Sequence, residues 1–253
     1  MSSSIPRAEV LGVEIDPLTL EELLARLEQA IRTRERLTVG YANVHGVLLA
    51  RRNPEFQRHL RQLDIVFCDG YGLRLGARVL GHPLPERYTA PDWIDGFAAR
   101  GHRLFLLGSR PGVAERAGAV LHARSGAVIA GTHHGYFDPT SAQNEELLAQ
   151  IHAASPDIIV VGMGMPRQEA WALTQRARHD TPVVLCVGAL FDYLAGVIPR
   201  GGPWLTDHGL EWLSRLWFEP RRLWRRYLIG NPTFAVLVLR EWWRQRRQQI
   251  GPN

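Results

Sequence analysis

Short apolar runs alternate with amphipathic stretches along nearly the whole chain. The run AEVLGVEID (8–16) reads as a strand. In PLTLEELLARLEQAIRTR (17–34), Leu20, Leu23, Leu24, Leu27 and Ile31 recur at helical spacing behind Thr19, a good N-cap. RLTVGYAN is a second strand, and VHGVLLARRNPEFQRHLRQ (44–62) follows as a helical stretch. DIVFCDG is a strand ending at Asp69. The same alternation gives a strand at RLFLLGS (103–109), a helix at 112–124, a strand and loop at AVIAGTHHGYF and a helix at 141–154. A strand at PDIIVVGMG, a helix at 167–178 and a buried strand within PVVLCVGALFDYLAG complete the series. Strands of four to seven apolar residues between helices predict an α/β fold: a parallel, Rossmann-like sheet flanked by helices on both faces. From about residue 205 the pattern becomes helical, aromatic and basic. The expected organisation is a body over 1–204 and a helical appendage over 205–253.

Charge sharpens that division. The net charge is +5, and no lysine occurs, so all 30 basic side chains are arginine. A lysine nucleophile, a Schiff-base lysine and a phosphate-loop lysine are therefore excluded. Residues 212–247 hold nine arginines against two glutamates, and five of the eight tryptophans. The basic character belongs to the tail, and the body is nearly neutral. The 45% hydrophobic content is that of a globular protein. Cys68 and Cys186 both lie in apolar runs, which suits buried free thiols in a reducing cytoplasm rather than a disulfide or zinc site. MSSSIPRAEV lacks the apolar core of a signal peptide, and FAVLVL is far too short to span a bilayer.

In a parallel sheet, ligands gather beyond the carboxyl ends of the strands. Four loops there carry candidate chemistry. In FCDGYG, Asp69 stands at a strand mouth, where it could act as a general base, bind a metal or ribose hydroxyl, or simply cap the next helix. In LLGSRPGVAERA, Gly108 opens a Gly-x-x-x-Gly turn into a helix whose free N–H groups favour phosphate. In VVGMGMPRQEAW, Gly164 and Pro166 precede Arg167, Gln168 and Glu169; an arginine and an amide at a helix start suit a nucleotide diphosphate, though a tight turn with a Glu169 helix-dipole contact would look the same. In VGALFDYLAGVIPRGGPW, Gly188 follows a strand, Asp192 sits in an apolar context and Arg200 follows an extended turn. Adjacent His133 and His134 point to opposite sides of an extended segment and make a poor chelate pair. No metal site and no cofactor are expected.

Taken in order, ANVHGVLLARRNPEF, DIVFCDGYGLRLGARVLGHPLPERYTAPD, LFLLGSRPGVAE, GTHHGYF, PDIIVVGMGMPRQE, VGALFDYLAGVIPRGG and GLEWLSRLWFEPRRLWRRYLIGNPTF resemble the WecG/TagA/CpsF family of bacterial glycosyltransferases. The resemblance runs from about residue 10 to 234. It implies metal-independent, inverting transfer of a sugar, usually from a UDP-sugar, to a polyprenyl-diphosphate-linked saccharide at the cytoplasmic face of the inner membrane, in the synthesis of cell-surface polymers. It implies that Asp69 is the base. It associates Pro166, Gln168 and Glu169 with the donor nucleotide, and matches Arg87, Thr89 and Asp92 to the family's R-x-T-x-x-D stretch. Asn43 matches the asparagine of a T-x-N motif whose threonine has a catalytic or positioning role; here that position is Tyr41. Ala90 replaces a family glycine, and RGG follows where the family has R-A-P at Arg200.

The tail then has a reading of its own. Its tryptophans and leucines suit the headgroup level of a membrane, and its arginines suit anionic lipid. A break at Pro220 lets it fold back, bringing Arg215, Arg221, Arg222, Arg225 or Arg226 towards the diphosphate of donor or acceptor. The expected partners are a nucleotide-sugar donor, a polyprenyl-diphosphate-linked acceptor and an anionic membrane surface, with homo-oligomerisation left open. A nucleotide-dependent oxidoreductase is disfavoured because no Gly-x-Gly-x-x-Gly follows the first strand. A nucleic-acid-binding protein would leave Asp69 without a purpose, and no nucleic-acid partner is expected.

Overall fold

The computed structural model describes residues 6–199 and 211–249; some tail side chains within that span, Arg215 and Arg222 among them, lie outside the description. The first apolar run is a hairpin, not the single expected strand: β1 (Ala8–Val10) pairs antiparallel with β2 (Val13–Ile15), Val10 facing Val13. Leu11 and Gly12 both take positive φ, 52° and 87°, and so form a two-residue turn in mid-run. Helix α1 (Leu20–Thr33) starts at the expected Thr19, whose hydroxyl accepts from Glu22 N while the Glu22 carboxylate accepts from Thr19 N. Strand β3 (Leu37–Ala42) leads to two helices where one helical stretch was expected. α2 (Val44–Ala50) ends, and Asn53 caps α3 (Pro54–Gln62), with Pro54 in its first turn.

After β4 (Ile65–Cys68) come α4 (Tyr71–Val79) and α5 (Ala90–Ala98), neither of which the apolar pattern announced. β5 (Arg103–Gly108), α6 (Val113–Ser125), β6 (Val128–His133), α7 (Ala142–Ala154), β7 (Ile158–Gly162) and α8 (Arg167–Thr174) then alternate as read. β8 (Val183–Cys186) and the short α9 (Leu190–Leu194) follow. In the tail, α10 (Glu211–Phe218) stops before Pro220, which opens α11 (Pro220–Trp224); a π-helical turn, Arg225–Ile229, leads into α12 (Gly230–Gln249). The proline break expected in the tail is present.

The main sheet has six strands in the order β4-β3-β8-β7-β5-β6, and all its pairings are parallel. Its inner strands and β4 are almost wholly buried because both faces are covered, whereas edge strand β6 is exposed or half-buried along its length. Leu37, Val39, Phe67, Leu106, Val160 and Leu185 face α1, α5, α6 and α9. Their alternates split between two further clusters. Val66 and Cys68 meet the hairpin, α2, α3 and α4, whereas Phe105, Ile159 and Val184 meet α7 and α8. Phe234 and Val238 of α12 are buried in the cluster with α2, α3 and α4, so the last helix is seated on the sheet's own core. Among the described residues, no helix is long and apolar enough to cross a membrane.

Candidate active site

The parallel register of β3 and β4 sets the geometry. Ala42 lies opposite Cys68, so the residues that follow each strand emerge side by side. Asp69 N donates to Ala42 O at 2.8 Å. Asn43 then does two things. Its Oδ1 accepts from Gly46 N at 3.0 Å and caps α2, and its Nδ2 donates to Asp69 Oδ2 at 3.1 Å. α4 begins after Gly70, which holds its N-cap position and has no side chain to cap with.

Asp69 lies on a cavity of about 820 Å³ beyond the carboxyl ends of β3, β4, β7 and β8. Of the residues singled out from the sequence, Tyr41, Asn43, Asp69, Arg87, Thr89, Ala90, Gly164, Gly188 and Arg226 line it. Burial first, then the nearby Asp69 and Glu169 carboxylates, push the Tyr41 phenol well above its ordinary pKa. Tyr41 is therefore a protonated hydrogen-bond donor, not a base. Its hydroxyl lies where a side chain on Gly188 would begin, and Gly188 has φ +62°, so glycine is required there twice over. Arg87 is ion-paired with Asp92 at 3.4 Å and stacks over the Tyr71 ring at 4.8 Å. Asp92 is not itself a wall residue. It completes a capping box with Thr89 at the start of α5, and so fixes both the helix and the arginine.

Gln168 and Glu169 stand behind the cavity and are fully buried. Gln168 Oε1 accepts from Gly164 N at 3.2 Å and from Gly188 N at 3.0 Å, tying together the loops after β7 and β8. Its Nε2 donates to Glu169 Oε1 at 2.7 Å, while Glu169 Oε2 is buried without a hydrogen bond. Burial lifts the Glu169 carboxyl to a pKa of about 7, against the opposing hydrogen bond from Gln168. Pro166, at the N-cap position of α8, adjoins these loops but is not in the wall.

Gly108, Arg167 and Asp192 fall in a separate group over β5, β6 and β7. Ser109 Oγ donates to Asp192 Oδ1 at 2.6 Å, Gly135 N donates to Ser109 O, and Arg167 Nη2 donates to Gly135 O at 2.9 Å. Arg167 is exposed and stacks on Tyr136. Two sequence neighbours thus part company: Arg167 turns outward and Gln168 inward. The tail contributes Arg226, which lines the cavity and whose charge is felt by Tyr41 and His45. Arg221 and Arg225 are exposed and away from the wall. Arg200 and the side chains of Arg215 and Arg222 lie outside the described residues.

The sequence reading missed His45, Tyr71 and Tyr227, all in the wall. Burial first, then Arg226 and Arg52, depress His45 to about 4, so it is neutral. Its signal was its place two residues after Asn43, in the first turn of a helix leaving a strand end. Among the described residues, no three His, Cys, Asp or Glu side chains are arranged to hold a metal ion. The wall combines one carboxylate held by an amide, a protonated phenol, a neutral imidazole and two guanidinium groups. Such a set can take a proton from a hydroxyl while stabilising anionic oxygen beside it.

A model of the Glycosyl transferase WecG/TagA/CpsF family matches residues 8–248. Proteins of Staphylococcus aureus strains MRSA252, NCTC 8325 and COL, each named N-acetylglucosaminyldiphosphoundecaprenol N-acetyl-beta-D-mannosaminyltransferase, are 27% identical over 242 residues. The alignment covers 93% of this chain and 93% of each relative.

Proposed function

The chain belongs to the WecG/TagA/CpsF family of glycosyl transferases, and from that premise we propose that it moves a sugar, with inversion, from a UDP-sugar to a saccharide carried on polyprenyl diphosphate. The observation that carries the reading is Asp69, held by Asn43 on a cavity whose wall also presents Arg87 and Arg226. The names of the Staphylococcus aureus relatives state a diphosphoundecaprenol-linked acceptor and a beta-linked product for those proteins.

In the proposed reaction the acceptor hydroxyl attacks the anomeric carbon from the side opposite the nucleotide. Its proton passes to Asp69 as the new C–O bond forms. The bond from the anomeric carbon to the phosphate oxygen breaks, and the diphosphate leaves with the electron pair. Asn43 Nδ2 keeps the carboxylate aimed. Asp92 holds Arg87 in the wall, and a protonated Tyr41 adds a hydrogen-bond donor. Fixed cations and donors facing charge that develops only in the transition state lower the barrier more than they tighten binding.

The tail supports action at a membrane surface, at its cytoplasmic face in this reading. Trp243 is 58% exposed on α12, among Arg240, Arg244 and Arg247. The test is a transfer assay over a panel of UDP-sugars, with N-acetylglucosaminyl-diphosphate-undecaprenol held in vesicles. The expected result is one new glycosidic bond of inverted configuration by NMR, formed faster in anionic than in neutral vesicles. Retained configuration would exclude the single displacement, and equal rates in the two vesicle types would exclude the membrane role of the arginines.

A further inference from the structure

The cavity has two chemically different ends. Tyr71, Gly72, Leu75, Gly76 and Val79 of α4 lie on it, the spacing of one helical stripe. Asn231, Phe234, Ala235, Val238 and Leu239 of α12 form a second stripe. The two meet at close range: a Cβ built on Gly76 would lie 2.6 Å from Phe234 Cζ and 3.2 Å from Val238 Cγ2. Each stripe begins with polar groups, Tyr71 beside Asp69 in sequence and Asn231 after Arg226 and Tyr227. Each then becomes wholly apolar. Leu75 and Leu239 are 65% and 52% exposed at the far end.

A nucleotide-sugar has no surface to match this limb, because its hydroxyls would lose water against Leu, Val and Phe without a partner. The polar limb, with its guanidinium groups, suits a diphosphate. A ligand that satisfies both limbs at once has an anionic head and a hydrocarbon tail. We propose that the apolar limb of the cavity lined by α4 and α12 binds the first isoprene units of the acceptor, so that the enzyme reads lipid as well as sugar. This inference rests on the proposed acceptor class and adds to it a binding site for the tail. Covering Leu75, Val79 and Leu239 with hydrocarbon removes apolar surface from water, at about 25 cal/mol per Å².

The test uses the full chain in detergent micelles, where attraction to a bilayer plays no part. Acceptors share the N-acetylglucosaminyl diphosphate head and carry a single isoprene unit, a farnesyl tail or an undecaprenyl tail. In the wild type, KM should fall by at least roughly 10-fold from the single unit to farnesyl, since each buried CH2 favours binding by about 0.8 kcal/mol, and change little beyond. In Leu75→Glu or Ala235→Trp the ratio of the two KM values should collapse towards one. A wild-type KM indifferent to the tail would overturn the proposal, as would variants that keep the ratio intact. Calorimetry with farnesyl diphosphate separates the two levels of the argument. Binding weakened by Leu75→Glu, with no transfer to any acceptor, would support the tail site and sink the proposed reaction. Binding unaffected by that change would sink the tail site whatever the transfer assay shows.

Discussion

At the scale of single residues, the site depends on side chains with two tasks. Asn43 caps α2 with its oxygen and steers Asp69 with its nitrogen. Replacing it separates the two roles. Asn43→Asp keeps a good N-cap, since aspartate ranks with asparagine there, but sets a second carboxylate against Asp69. Two carboxylates at this distance cannot both ionise freely. The acid limb of the pH profile of kcat/KM should therefore move to higher pH by about one unit or more, with the melting temperature nearly unchanged. A profile that stays in place would show that Asn43 is only a cap. Asp69 could be found from sequence because it ends a strand before two glycines. The buried role of Gln168 could not: its side chain bonds to Gly164, Gly188 and Glu169 and to the Tyr41 phenol, holding the wall from behind.

At the scale of elements, helix α8 carries a buried acid into the core, one of its oxygens without a hydrogen bond. Glu169 titrates near 7 in the folded chain against an ordinary 4.5. Its folded pKa is raised, so the folded state holds the proton more tightly. The associated stability is fully present below about pH 4.5 and is lost as pH rises through 7. The separation is worth on the order of 3 kcal/mol. Glu169→Gln, which cannot ionise, should gain stability relative to the wild type by about that amount between pH 4.5 and 8 in urea titrations. A difference that is flat with pH would contradict the buried, proton-holding state. The elements also show where apolar pattern fails. α4 and α5 are both amphipathic, but α4 contains Gly72 and Gly76, and α5 opens on Pro91 and contains Gly96, residues that read as turns in the sequence. The Thr89–Asp92 capping box was the overlooked signal for α5. The hairpin went unread because its turn, Leu11–Gly12, carries no polar residue, and Asn53-Pro54 marked the division of α2 from α3.

At the scale of the whole molecule, the alternation of strands and helices was enough to foresee the parallel sheet, because burial on both faces demands near-continuous apolar strands. The strand order was not foreseeable, and it is the order that gathers β3, β4, β7 and β8 around one cavity and leaves Gly108, Arg167 and Asp192 over β5–β7. The tail's composition and its Pro220 break pointed to an arginine folded back towards the site, but not to Arg226 in particular, nor to the burial of Leu223, Phe234 and Val238. All of these arrangements converge on one carboxylate. The most direct measurement is therefore the turnover and donor affinity of Asp69→Asn, with the same UDP-sugar and lipid-linked acceptor. As the general base, Asp69 predicts a kcat lower by roughly 10²–10⁴, with donor Kd by calorimetry and melting temperature close to wild type. Turnover near the wild-type rate would contradict the account, and the proton acceptor would have to be sought elsewhere on the wall.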